Sequence, residues 1–102
     1  MDEEKFSNLI DCSEEEFSEY CSDKSLGYLL SFKLFLASAY QNIVSIKEDL
    51  VKKIKDESLP EDSAEVRLLN KIYVELMKLE HRILLCNSFI GKKSKQCEQE
   101  LD

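Results

Sequence analysis

At 102 residues the chain holds one domain, and 43% hydrophobic beside 34% charged residues supplies both a core and a solvated surface. Two glycines, one proline and no tryptophan leave too little turn chemistry for an all-β fold. The net charge of −7 is lodged at one end: residues 1–23 carry nine acidic groups and one Lys, whereas residues 24–102 carry twelve acidic and thirteen basic groups. That balance argues against direct nucleic-acid binding by bulk electrostatics. No uninterrupted apolar run approaches a bilayer span, and the opening Met-Asp-Glu-Glu has no basic region or apolar core of a signal peptide. An intracellular protein without membrane contact is expected.

In chain order, residues 3–22 come first, an acidic and amphipathic stretch. Phe6, Leu9, Ile10, Phe17, Tyr20 and Cys21 recur at helical spacing. One or two short helices are expected, broken near Asp11–Ser13. Ser13-Glu14-Glu15-Glu16 has the spacing of a capping box, in which the hydroxyl takes a free amide and Glu16 reaches back. The same Ser ahead of three Glu resembles an acid-directed phosphorylation site, but capping is the simpler reading. Asp23 and Ser25 both suit the start of the next helix, expected over residues 26–56. Its first half is apolar almost all round, and its second half turns Lys47, Glu48, Lys52, Lys53 and Lys55 to water.

A turn is expected near Glu57–Asp62, around the single proline. Ser58-Leu59-Pro60-Glu61 can cap the following helix, and Asp62-Ser63-Ala64-Glu65 offers the same chemistry four residues on. That helix is expected to run to about Ile90 and to end at a left-handed Gly91, with 92–102 as a flexible polar tail. Lys92, Lys93 and Lys95 read as cations complementing a helix C-terminus.

The two long segments carry matching apolar stripes. One is Leu29, Phe32, Leu36, Ala39, Ile43, Ile46, Leu50; the other is Leu69, Ile72, Leu76, Leu79, Ile83, Cys86, Ile90. Both step by three and four residues in alternation, the coiled-coil seam of helix on helix. The pairs Leu29/Ile90, Leu36/Ile83, Ile43/Leu76 and Leu50/Leu69 lie equidistant from the turn. The expected architecture is therefore all-α: a long antiparallel helical hairpin over 25–91, with the N-terminal segment 1–24 packed on it as a three-helix bundle. Tyr28, Phe35, Leu68, Tyr73, Met77, Leu84 and Phe89 exceed what one seam accommodates. They must be covered by the N-terminal segment or by a partner.

Catalytic and metal chemistry finds no pattern. Cys12, Cys21, Cys86 and Cys97 include no pair separated by two residues, and His81 is the only histidine. A closed zinc site usually needs a close ligand pair. A metalloprotease helix needs a second His four residues on, where Leu85 stands. Cys86 reads as a small buried hydrophobe, and the other cysteines as ordinary thiols. The Glu14–Glu16 run is a solvated face rather than a converging acid–base pair. No enzymatic activity, cofactor, metal or small-molecule substrate is expected.

The stretch Leu34-Phe35-Leu36-Ala37-Ser38-Ala39-Tyr40-Gln41-Asn42-Ile43-Val44 resembles the long-helix segment of the neuroguidin family. Relatives of that family include exosome cofactors and small-subunit processome factors. The matching elements are the Leu-rich run into Leu36, then Ser38, Ala39 and Tyr40, then Asn42 with apolar Ile43. Glu65-Val66-Arg67-Leu68-Leu69-Asn70-Lys71-Ile72 is similar to the family's later Val/Leu-Arg-Leu helix. The likeness spans residues 26–80. Asp62-Ser63 stands where the family has His-Pro, and the basic tail is reduced to Lys92, Lys93 and Lys95. The resemblance implies a non-enzymatic adaptor of RNA-processing machinery, nuclear or nucleolar rather than cytoplasmic, that works by helix docking.

The expected function is that of an adaptor or scaffold subunit binding another protein through apolar helix faces. Tyr28, Leu29, Phe32, Phe35, Ile83, Phe89 and Ile90 are its expected contact surface. A homodimer satisfies the same seam. A small acidic secretion or flagellar export chaperone, with an apolar helical groove for its substrate, is the alternative.

Overall fold

The computed structural model describes the backbone of residues 3–101 and the side chains of residues 4–96. Four helices and no strand occur among the described residues: α1 (Glu3–Asp11), α2 (Glu14–Ser22), α3 (Leu26–Asp56) and α4 (Ala64–Leu101). Serines set three of the starts. Ser13 Oγ accepts from the Glu16 amide at 3.1 Å, Ser25 Oγ from Tyr28 at 3.2 Å, and Ser63 Oγ from Val66 at 3.2 Å. Each hydroxyl satisfies one of the orphan amides of a first turn. The N-terminal segment is thus two helices, not one, with the break at the expected place.

Of the two capping sites expected near the turn, Ser58 and Ser63, only the second starts a helix. Ser58 sits at φ 49°, in the left-handed region. Its amide donates to Lys55 O at 3.3 Å, and the Leu59 amide donates to Ile54 O at 3.1 Å. This is the paired bonding of a Schellman ending, so Ser58 closes α3 and Ser63 opens α4. Pro60 lies in the turn between them, accepting from the Ser63 amide at 3.0 Å.

A second correction concerns Gly91. It has no positive φ, and α4 runs through it to Leu101. Glycine permits a left-handed ending but does not force one. The side chain of Cys97, read as an ordinary thiol, lies outside the described residues.

The long helices pack on each other. Near one end the Cys86 thiol lies 3.7 Å from Leu29 O, and near the other Lys53 Nζ lies 3.8 Å from Glu65. The core comprises Ile10, Phe17, Cys21, Leu29, Phe32, Leu36, Leu79 and Cys86, with Ile72 and Leu76 buried further toward the turn. Most of the expected seam is there, but Ile46 is 55% exposed and Lys47 is half-buried beside it. A helix of 3.6 residues per turn drifts about 20° per heptad from a strict 3.5 repeat. By the third heptad the seam has therefore moved on to Lys47, Leu50 and Ile54. Lys47 follows it, its ammonium 5.8 Å from the Tyr73 ring.

The molecule measures 62 × 22 × 20 Å with a radius of gyration of 17.3 Å. A compact chain of this length has a radius of gyration near 13 Å. α3 is long and apolar enough, by length and composition, to cross a membrane. The absence of a long unbroken apolar run had argued otherwise, but between Leu26 and Ile46 the run is interrupted by polar Ser, Gln and Asn and by a single charge, Lys33.

Candidate interaction surface

α1 and α2 lie along one flank of the α3–α4 pair, held there by aromatic packing and by cations from α4. Phe6 meets Phe35 edge-on at 5.1 Å, Phe17 meets Phe32 at 6.0 Å, and Tyr20 lies 5.8 Å from Phe32 and 6.3 Å from Tyr28. The Tyr20 and Tyr28 hydroxyls hydrogen-bond each other. Lys24 caps this pair, its ammonium 4.5 Å from the Tyr20 ring centre. Burial and the hydrogen bond to Tyr28 push the Tyr20 phenol well above its ordinary range.

The two short helices both end on α4 cations. Arg82 Nη2 donates to Cys12 O at 2.6 Å, at the end of α1, and its guanidinium stacks 5.2 Å from the Phe17 ring. Lys93 Nζ donates to Ser22 O at 3.1 Å, at the end of α2. Terminal carbonyls carry the negative end of the helix dipole, so a cation there is doubly favoured. Lys93 therefore serves another helix, not its own, as the tail reading had it. Arg82 had no such role in the sequence reading, because periodicity does not say which outside helix ends beside a residue. Exposed pairs add to the rim: Lys78 with Asp11 at 3.5 Å and His81 with Glu14 at 3.3 Å.

The seven residues expected as a contact surface do gather at one end of the molecule. Leu29 and Phe32 are fully or nearly fully buried there under α2, and Ile83, Phe89 and Ile90 are half-buried against the core. Tyr28 and Phe35 stay partly exposed at 38% and 40%, each with one side on an α1 or α2 aromatic. The chain's own N-terminal helices sit on the Tyr28, Phe32 and Phe35 part of this set, and Ile83 lies on the other side, beside Tyr40 and Leu84.

The opposite flank has no cover among the described residues. Leu34 is 71% exposed, Met77 70% and Leu84 60%, with Leu30 and Tyr73 also exposed. At roughly 100° per residue, Tyr73, Met77 and Leu84 fall within about 40° of one another on α4, well away from Arg82. Leu30 and Leu34 lie on α3 away from Phe35 and its α1 contact by the same step. Between the helices a cavity of about 220 Å³ is lined by Tyr40, Glu80, Ile83 and Leu84. A wider, open depression of about 540 Å³ continues past Met77, His81 and Arg82. The surface is apolar at its centre and carries Glu80 and His81 at its edge, a composition suited to an amphipathic helix. Met77, Leu84 and Tyr73 were legible as surplus to the seam; Leu30 and Leu34 were hidden in an all-round apolar stretch.

Among the described residues no group of three or more His, Cys, Asp or Glu is placed to hold a metal ion. No protein-family model matches this chain, and no curated protein or solved structure matches it either.

Proposed function

We propose that this protein is a non-enzymatic interaction module: an antiparallel hairpin of α3 and α4, bundled on one flank by α1 and α2, whose open flank receives an amphipathic helix of another protein. The observation that carries this reading is the row of exposed Tyr73, Met77 and Leu84 on one face of α4, with Leu84 lining the cavity shared with Tyr40 of α3. Large apolar side chains clustered on one face mark docking sites. From Tyr73 to Leu84 the row spans about 16 Å, room for three turns of a docked helix. Of the expected contact residues, Tyr28, Leu29, Phe32 and Phe35 lie against α1 and α2 and form a reserve surface, available when those helices lift, whereas Ile83 lines the cavity on the open flank.

The likeness of residues 26–80 to neuroguidin-type segments supports an adaptor role in RNA processing, with nuclear or nucleolar residence. Tagged wild-type protein and the paired variant Met77→Asp/Leu84→Asp, purified from the native cell, test both levels. The expected result is capture of RNA-processing proteins by the wild type and their loss from the variant at unchanged helicity. Capture of a single exported substrate makes the protein an export chaperone and retires the RNA-processing role. Equal capture by both forms overturns the docking face. Wild-type protein that stays in the membrane fraction after a salt and carbonate wash overturns the reading altogether, and α3 is then a membrane segment.

A further inference from the structure

Three side chains of α4 at spacings of three and four, Lys78, His81 and Arg82, each reach across to a residue beside Ser13. Lys78 Nζ lies 3.5 Å from Asp11, Arg82 Nη2 donates to Cys12 O at 2.6 Å, and His81 Nε2 lies 3.3 Å from Glu14. Ser13 itself is exposed in the break between α1 and α2, on extended backbone at φ −64° and ψ 158°. Arg82 is only 8% exposed, and among the described residues its Nε and Nη1 have no partner. The Cys12–Ser13 peptide and the Phe17 ring answer this buried guanidinium, but no anion does.

We infer that Ser13 is a phosphorylation site, and that Lys78, His81 and Arg82 hold its phosphate and so fasten α1 and α2 to α4. Glu14, Glu15 and Glu16 follow Ser13 directly and give it the context that an acid-directed protein kinase reads. In the transfer, Ser13 Oγ attacks the γ-phosphorus of ATP while its proton passes to the kinase's base. The new O–P bond replaces the bond to ADP, which leaves.

The position suits a phosphate twice over. Ser13 Oγ already takes the Glu16 amide as the cap of α2, and phosphoryl oxygens on the same atom can take the amides of that first turn. The dipole of the nine-residue α2 favours negative charge there. Across the break, α4 supplies the cations. Glu14, Glu15 and Glu16 oppose a dianion, but they are exposed and screened by water. Arg82 is buried and screened far less, so the attraction outweighs the repulsion. The site does not depend on what the open flank binds.

The test begins with the folded full chain, an acid-directed serine kinase and Mg-ATP, the product being mapped by mass spectrometry. Phosphate is expected on Ser13. Ser58, with Glu61 three residues on, is the internal comparison; phosphate missing from Ser13, or confined to Ser58, overturns the site. The full chain made with phosphoserine at position 13 is then compared with the unmodified chain. Its melting temperature should be higher by roughly 5 °C, and the gain should shrink by about half in Lys78→Gln, a substitution at an exposed position. The second ionisation of the phosphate, ordinarily near about 6, should be lower in the folded chain than in urea when followed by phosphorus NMR. An equal or lower melting temperature, or an ionisation unmoved by folding, overturns the hold by α4. Inorganic phosphate that stabilises the unmodified chain as much makes the cations a free-anion site and overturns the modification.

Discussion

Ser58 holds a backbone conformation that side chains resist, at φ 49° in the left-handed region. Its Cβ crowds the adjacent carbonyl, a strain that glycine does not feel. Ser58→Gly is expected to stabilise the protein by about 1 kcal/mol, a shift of roughly 4–8 °C in melting temperature measured by circular dichroism. Tyr20 carries a different signature. Its phenol is raised by burial and by the Tyr28 hydrogen bond, so the folded chain holds that proton more tightly than the unfolded chain. The contribution is complete below the ordinary value of 10.0 and is lost as pH rises beyond it. Melting temperature should therefore begin to fall above about pH 10, and Tyr20→Phe should remove that fall.

At the scale of elements, the short helices depend on groups they do not contain. α1 and α2 have nine residues each, below the length at which helices persist alone in water. α4 supplies a cation to the end of each. Arg82→Ala removes the charge-assisted bond to Cys12 O and the stacking on Phe17, and should cost about 2 kcal/mol. Hydrogen exchange is expected to show protection lost in residues 4–22 and kept in α3 and α4; uniform loss would mean that Arg82 holds the core and not the cover. Nε and Nη1 of Arg82 are buried with no protein partner, so part of that guanidinium's desolvation is unrewarded. In α4 itself, a Cβ at Gly91 meets nothing within 4 Å. Gly91→Ala should stabilise the helix by about 0.8–1 kcal/mol, read as a higher urea midpoint at unchanged slope.

Among the described residues the molecule is a rod of 62 × 22 × 20 Å with one flank covered and one bare. Deleting residues 1–22 removes Ile10, Phe17 and Cys21 from the core and uncovers Leu29 and Phe32. A large apolar side chain is worth roughly 1.5–3 kcal/mol when buried. The truncated chain should bury these residues against another copy, and light scattering coupled to gel filtration should find it heavier than the full chain relative to its sequence mass. An unchanged mass and melting temperature would mean that α1 and α2 are not the cover.

The sequence by itself determined the helical class and the two long stripes. It also showed the break near Asp11 and the cap at Ser13, and narrowed the other two starts to Asp23 or Ser25 and to Ser58 or Ser63, of which Ser25 and Ser63 are the caps. These follow from local spacing and from hydroxyls that satisfy amides within their own turn, so no distant residue is needed to read them. Tertiary structure decided what depends on a neighbouring helix. It moved the seam from Ile46 to Lys47, because packing on the partner helix decides whether a helix supercoils to hold a 3.5 repeat or stays straight and drifts. It set Arg82 and Lys93 on the ends of α1 and α2, and buried Cys21 and Cys86 in one cluster, because those placements depend on how the short helices lie across α4. It also turned the expected contact surface inward and left Leu34, Met77 and Leu84 outside, since a stripe in sequence does not say which flank a short helix will cover.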